Sequence, residues 1–408
     1  MKLMFATILS ACLFCAACDR TPAIPEPIDP IGIDSVQGPF KLKWQFWLND
    51  QHEQMFCTNP LLIGSNILFS RMFAASDGLL TFRDGKTGDL VWNWDSPTNA
   101  GADHEAFNVS PNGVAVRSGD VFSIDIASGT TNWEYDEDDY GGGCQTPKIA
   151  IHGNYIYATQ DDCGFSGRVS RVIRSPIGTL AMDTIATIVC SPELVAGADP
   201  PIVYPTADGD TLIIFQNRGD TTDLYAFSLN TRQQVWRQHH VDPFGVGNIF
   251  PMMIANDKLY YVGSFHALCL DPLTGEILWH TTMGLLNVRC VEETPLVTDG
   301  KVLVKSDMTG LLCLNAETGS VMWQNNAEGS AAPSGRVVRY KEYVMYIGGL
   351  GNAVYVHRLS DGELVYKLQT PNLKLDDDCT MRGLAVDEEA GLLYTSDGFF
   401  AQCYEINL

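Results

Sequence analysis

A unit of about forty-three residues recurs along this chain, and nothing else in the sequence limits the fold so tightly. Each copy joins an apolar strand, an Asp or Asn, a short turn with glycine, and an alternating strand with an aromatic residue four positions after the glycine. TFRDGKTGDLVW ends at Trp92, SIDIASGTTNW at Trp133, CLDPLTGEILW at Trp279 and CLNAETGSVMW at Trp323. HRLSDGELVY ends at Tyr366, and SLNTRQQVW ends at Trp236 with Arg232 in the glycine position. Neighbouring aromatics lie 41 to 44 residues apart, except that 103 residues separate Trp133 from Trp236. That gap has room for two units, and RVIRSPIGTLAMD near Met182 is a weak copy within it.

The pattern has a physical reading. The Asp or Asn side chain accepts a backbone N–H two residues on, and the glycine supplies the positive φ of a tight hairpin. The alternation after it buries one face of an outer strand, where the Trp fills space between neighbouring sheets. Apolar hairpins upstream, such as KIAIHGNYIYAT and PLVTDGKVLVKS, bring each unit to four strands. A period of this size with four short strands is one propeller blade. The last unit, MRGLAVDEEAGLLYTSDGFFAQCYEINL, holds three strands, and KLKWQFWL, with Trp44 in the aromatic position, supplies the fourth. The expectation is an all-β chain: an eight-bladed β-propeller of four-stranded antiparallel blades over residues 40–408, its ring closed by the N-terminal strand. A seven-bladed ring, with the weak third unit as an insertion, is the alternative.

The N-terminus predicts export. Lys2 precedes an apolar run, Leu3 to Phe14, too short to span a bilayer as a helix. The cysteine-containing end of this segment resembles a bacterial lipoprotein signal, in which a cysteine after small residues is acylated. Cys12 and Cys18 compete for that role. Cys18 is preferred because cleavage there leaves DRTPAIPEPIDPIG, a polar, proline-rich tether. Residues 1–17 are then a signal peptide and 18–39 the tether.

Nine cysteines remain beyond the signal region. A two-residue turn at Gly153-Asn154 would set Cys144 opposite Cys163 across a hairpin, close enough for a disulfide in an oxidising compartment. Cys269, Cys313 and Cys403 recur at one strand position and read as core filling. The pairing of Cys57, Cys190, Cys290 and Cys379 stays open.

Lys and Arg number 26 against 49 Asp and Glu, a net charge of −23, which repels nucleic-acid phosphates. The acid is clustered. Asp103 and Glu105, Asp136-Glu137-Asp138-Asp139, and Asp376-Asp377-Asp378 fall between blades, and Asp161-Asp162 between second and third strands. In an up-and-down blade both loop classes emerge on one face, with the mouth of the central channel. That face is the candidate binding surface, for a basic partner or a hard cation. DEDDYGGG is no EF-hand loop, because Tyr140 takes a ligand position and Pro147 stands where the bidentate Glu belongs. The expectation is no cofactor, with calcium left open at these loops. No Gly-x-Ser-x-Gly or His-Glu-x-x-His occurs, and His239-His240 has no spaced partner for a zinc motif.

The TG-x-x-x-W form resembles the quinoprotein (PQQ-like) repeat family over residues 40–408. The resemblance implies the propeller fold and leaves two functions. Enzymes of the family use pyrroloquinoline quinone and calcium to oxidise alcohols or sugars. A non-enzymatic branch includes lipoproteins of the BamB type, scaffolds of outer-membrane assembly. The adjacent cysteine pair of many alcohol-oxidising members is missing here, as is any Cys-x-x-Cys-His. The expected function is therefore a non-catalytic envelope lipoprotein that binds proteins, held at the outer membrane or the periplasmic face of a membrane. A periplasmic quinoprotein dehydrogenase or sugar-active propeller is the alternative.

Overall fold

Strands of this chain are buried on both faces, and that decides the architecture. In Gly310–Asn315 the first five residues are all buried. Leu312 and Leu314 pack to one side and Leu311 and Cys313 to the other. A strand with two apolar faces needs a sheet on either side of it, and a ring of sheets supplies this without end.

The computed structural model describes residues 36–48, 59–70, 80–95, 97, 108–110, 113–118, 120–135, 148–162, 169–179, 181–189, 197–198, 200–218, 222–242, 252–283, 294–306, 310–325, 336–348, 353–370, 372 and 381–408. They form eight antiparallel sheets of four or five strands, each a meander from the innermost strand outward, and no α-helix. The eight-bladed ring is therefore the fold, and the weak third unit is a blade in its own right (Lys148–His152, Tyr155–Asp162, Val169–Pro176 and Asp183–Val189).

The core is distributed. Eight clusters of buried apolar side chains occupy the eight seams between neighbouring blades. One example joins Leu212, Ile214 and Trp236 of the fourth blade to Leu259, Tyr261 and Leu268 of the fifth. The ring closes as expected: Phe40–Trp47 pairs with the last strand, Phe400–Ile406, as the outer strand of the eighth blade. Val36–Gln37 adds a fifth strand outside it.

Every outer strand carries a β-bulge one residue before the aromatic position, as at Leu278 between Leu270↔Ile277 and Cys269↔Trp279. The same skip falls at Val91, Asn132, Ile185, Val235, Met322, Val365 and Lys43. A bulge twists an edge away from further pairing, so the outer edges of the blades are blunted by one repeated device. Cys269, Cys313 and Cys403 pair directly with the aromatics Trp279, Trp323 and Trp44 and are free, buried thiols.

Candidate binding surfaces

The repeat motif builds the contact between blades. In the fifth blade Asp271 Oδ1 accepts the N–H groups of Leu273 and Thr274, at 2.7 and 3.0 Å, and Gly275 N–H returns to the Asp271 carbonyl. Asp84, Asp125 and Asn315 make the same turn. These bonds to the ionised form hold the Asp84 and Asp125 carboxyls below the usual carboxylate range.

The turn glycine has φ +73 at Gly275, and the Trp236 ring of the preceding blade lies against it. A Cβ there would sit 2.6 Å from Trp236 Cδ2, so the position requires glycine on two counts. The indole N–H then donates to the carbonyl of Pro272 at 2.9 Å. Trp44, Trp92, Trp279 and Trp323 repeat both contacts on Gly88, Gly129, Gly319 and Gly362 of the next blade. Tyr366 lies on Gly38. Five of the eight seams are closed by both contacts, and a sixth by an aromatic ring on a glycine alone.

Blade three breaks the pattern on both sides. Its third hairpin is four residues longer than that of the fifth blade (Ile173↔Thr184 against Leu270↔Ile277) and lacks the repeat turn. The residue in register with the tryptophans is Ala186, not a position near Met182, which is exposed. The seam with blade four uses an ion pair instead. Arg232, at φ 60 in the glycine position, reaches Asp183, which also pairs with Arg174 at 3.0 Å. The seam with blade two uses Tyr135, whose hydroxyl lies 2.9 and 2.8 Å from the Pro176 and Thr179 carbonyls and accepts the Thr179 N–H at 3.0 Å. Sequence reading found neither device, because each replaces the motif by residues that carry no repeat signal.

Of the expected sites, Cys18, Cys144, Cys163, Asp103, Glu105, Asp136–Asp139 and Asp376–Asp378 lie outside the described residues. Asp161 and Asp162 are the last residues of a strand, paired with Ser170 and Val169, rather than a loop. Strand pairing extends there because the hairpin runs in register to its end. The register set by Gly153-Asn154 is the expected one from His152↔Tyr155 to Lys148↔Thr159. Among the described residues no group of three or more His, Cys, Asp or Glu comes together to hold a metal ion.

A family model described as outer membrane protein assembly factor BamB matches residues 220–378. No curated protein matches the sequence. Among solved structures the chain is similar to BamB from Moraxella catarrhalis, with 14% identity and a TM-score of 0.60, over 90% of this chain and 98% of that one. It is also similar to quinohemoprotein alcohol dehydrogenase from Comamonas testosteroni, at 10% identity and TM-score 0.65, over 90% of this chain and 77% of that one. A europium-containing methanol dehydrogenase matches at 11% identity and TM-score 0.64, over 87% of this chain and 84% of that one. At these identities the structures speak for the fold alone. The chain is an eight-bladed β-propeller built from PQQ-like repeats.

Proposed function

We propose that this propeller is a non-catalytic, protein-binding scaffold of the cell envelope, anchored through a lipid on Cys18 and working through its acidic loop face. One observation carries the reading: the assembly-factor model matches three and a half blades of the ring, and the chain spans 98% of the BamB structure's length against 77% of the quinohemoprotein's. A rigid ring with loops on one face is a common platform for binding, and carboxylates there attract a basic partner. Affinity capture of the tagged lipoprotein from cross-linked envelopes should return a defined envelope protein. Neutralising Asp136–Asp139 and Asp376–Asp378 to Asn and Gln should weaken that capture. Recovery of no specific partner would end the scaffold reading.

Two dehydrogenases share the fold, and this leaves a second reading, a quinone-dependent oxidoreductase. Its test is direct. Protein supplied with calcium and pyrroloquinoline quinone should reduce no dye with alcohols or aldoses, and turnover dependent on both additions would replace the scaffold by an enzyme.

A further inference from the structure

The tryptophan of the second blade stands in the same register as its counterparts and lacks what they have. Trp133 pairs with Ser123 after the same bulge that sets Trp279 opposite Cys269. Its neighbour's glycine, Gly178, has φ +79 but, among the described residues, no atom within 4 Å of where a Cβ would point, so the turn of blade three stands clear of the indole. Tyr135 has taken over the contact with that turn. The Trp133 ring is left half-buried, and its indole N–H has no acceptor among the described residues. It lines a cavity of about 1400 Å³, with Ile126, Ile151, Tyr155, Pro176 and Ile177 around it.

We propose that the open Trp133 end of this seam, beside its packed cluster of Val121, Tyr135, Ile149 and Ile173, is a dock for a glycine-containing tight turn of a partner protein, the turn's glycine lying on the Trp133 indole and one of its carbonyls accepting the indole N–H. The proposal rests on the protein-binding reading above and gives it a location. Five tryptophans of this chain, in the same strand position, each take that occupant from the next blade. A surface repeated with one of its partners withdrawn is complementary to that partner's chemistry. The volume exceeds the roughly 300–1,000 Å³ of ordinary small-molecule pockets and has room for a peptide turn. Among the described residues no Lys or Arg lines it. The one carboxylate among the described lining residues, Asp125, is engaged by the N–H groups of its own turn.

The test uses the full chain labelled with 5-fluorotryptophan, whose Trp133 resonance is assigned by loss in Trp133→Phe. The probe is a cyclised peptide carrying Leu-Asp-Pro-Leu-Thr-Gly-Glu-Ile, the turn that covers Trp236. Titration should shift the Trp133 resonance saturably while those of Trp44, Trp92, Trp236, Trp279 and Trp323 stay in place. The same peptide with Gly replaced by Ala should bind at least about tenfold more weakly, the effect of 1.4 kcal/mol. No selective shift at millimolar peptide, or equal binding by the Ala peptide, overturns the dock. A shift produced by maltotriose or chitotriose and not by the peptide overturns it too, and makes the seam a saccharide site. Should envelope capture return a partner that Trp133→Ala retains fully, the dock fails and the scaffold reading stands.

Discussion

At the scale of single residues, the turn glycines separate conformational strain from packing. Gly275→Ala meets both a positive φ and the Trp236 ring, whereas Gly178→Ala meets the positive φ alone. The left-handed region costs a side chain about 1–2 kcal/mol, and forcing a methyl into a filled seam adds about 1–3. Urea denaturation should therefore show Gly275→Ala destabilised by about 2–5 kcal/mol and Gly178→Ala by about 1–2. Equal losses would mean that the indole does not bear on the glycine. Arg232 makes a complementary case, since it occupies the left-handed position for the sake of its reach to Asp183. Both partners are about a third or more exposed, so the pair is worth only about 0–1 kcal/mol. Arg232→Gly trades that pair for an unstrained turn and should lie near the parent. Arg232→Ala loses the pair and keeps the strain, and should fall below the glycine variant by about 1 kcal/mol. A glycine variant less stable than the alanine variant would mean that strain at this position is negligible.

At the scale of elements, the third and outer strands of the fifth blade bring two imidazoles together. His266 Nδ1 lies 2.6 Å from His280 Nε2, so one ring donates a proton to the other and both cannot be charged. Burial holds His266 below the usual imidazole range; burial and then the neighbouring His266 do the same for His280. The fold thus prefers both rings neutral. For a base with its folded pKa lowered, the stabilising contribution is complete above the unfolded value, about 6.5, and is lost as pH falls through that value toward the folded one. The urea midpoint should drop as pH is taken from 7.5 toward 5, with part of that slope gone in the His266→Gln/His280→Gln double variant. Buried His357 is also held low by burial and contributes to the slope in both proteins. An unchanged slope in the double variant would show that the pair titrates as it does in the unfolded chain.

At the scale of the molecule, the features legible in the sequence were the ones that recur. The Asp-to-Gly-to-Trp spacing carried blade count, strand order, ring closure and hairpin register because each copy repeats one solution to closing a seam. Blade three was legible in its first hairpin and as a weak copy in a double-length gap, but its seams were not, since Asp183 and Tyr135 close them with different chemistry and leave no period behind. The candidate surfaces were harder still: an unoccupied indole is a relation between two blades, and Trp133 looks in the sequence like every other tryptophan. Phe40, Leu42 and Trp44 come from the first long strand, and all three are buried in the seams on either side of the eighth blade. Each such side chain contributes about 1.5–3 kcal/mol, so together they approach the roughly 5–15 kcal/mol by which a domain is stable. Their loss also bares Phe400–Ile406 as an edge strand with five buried leading residues. A variant without residues 36–47 should therefore lose its cooperative melt or self-associate in size-exclusion chromatography. A synthetic peptide of residues 36–48 should restore a monomer that melts cooperatively, because the missing part is a strand with a fixed register, Phe40↔Ile406 to Trp47↔Phe400. A monomeric truncation with the parent's melting temperature would mean that the ring is held by its other seven seams alone.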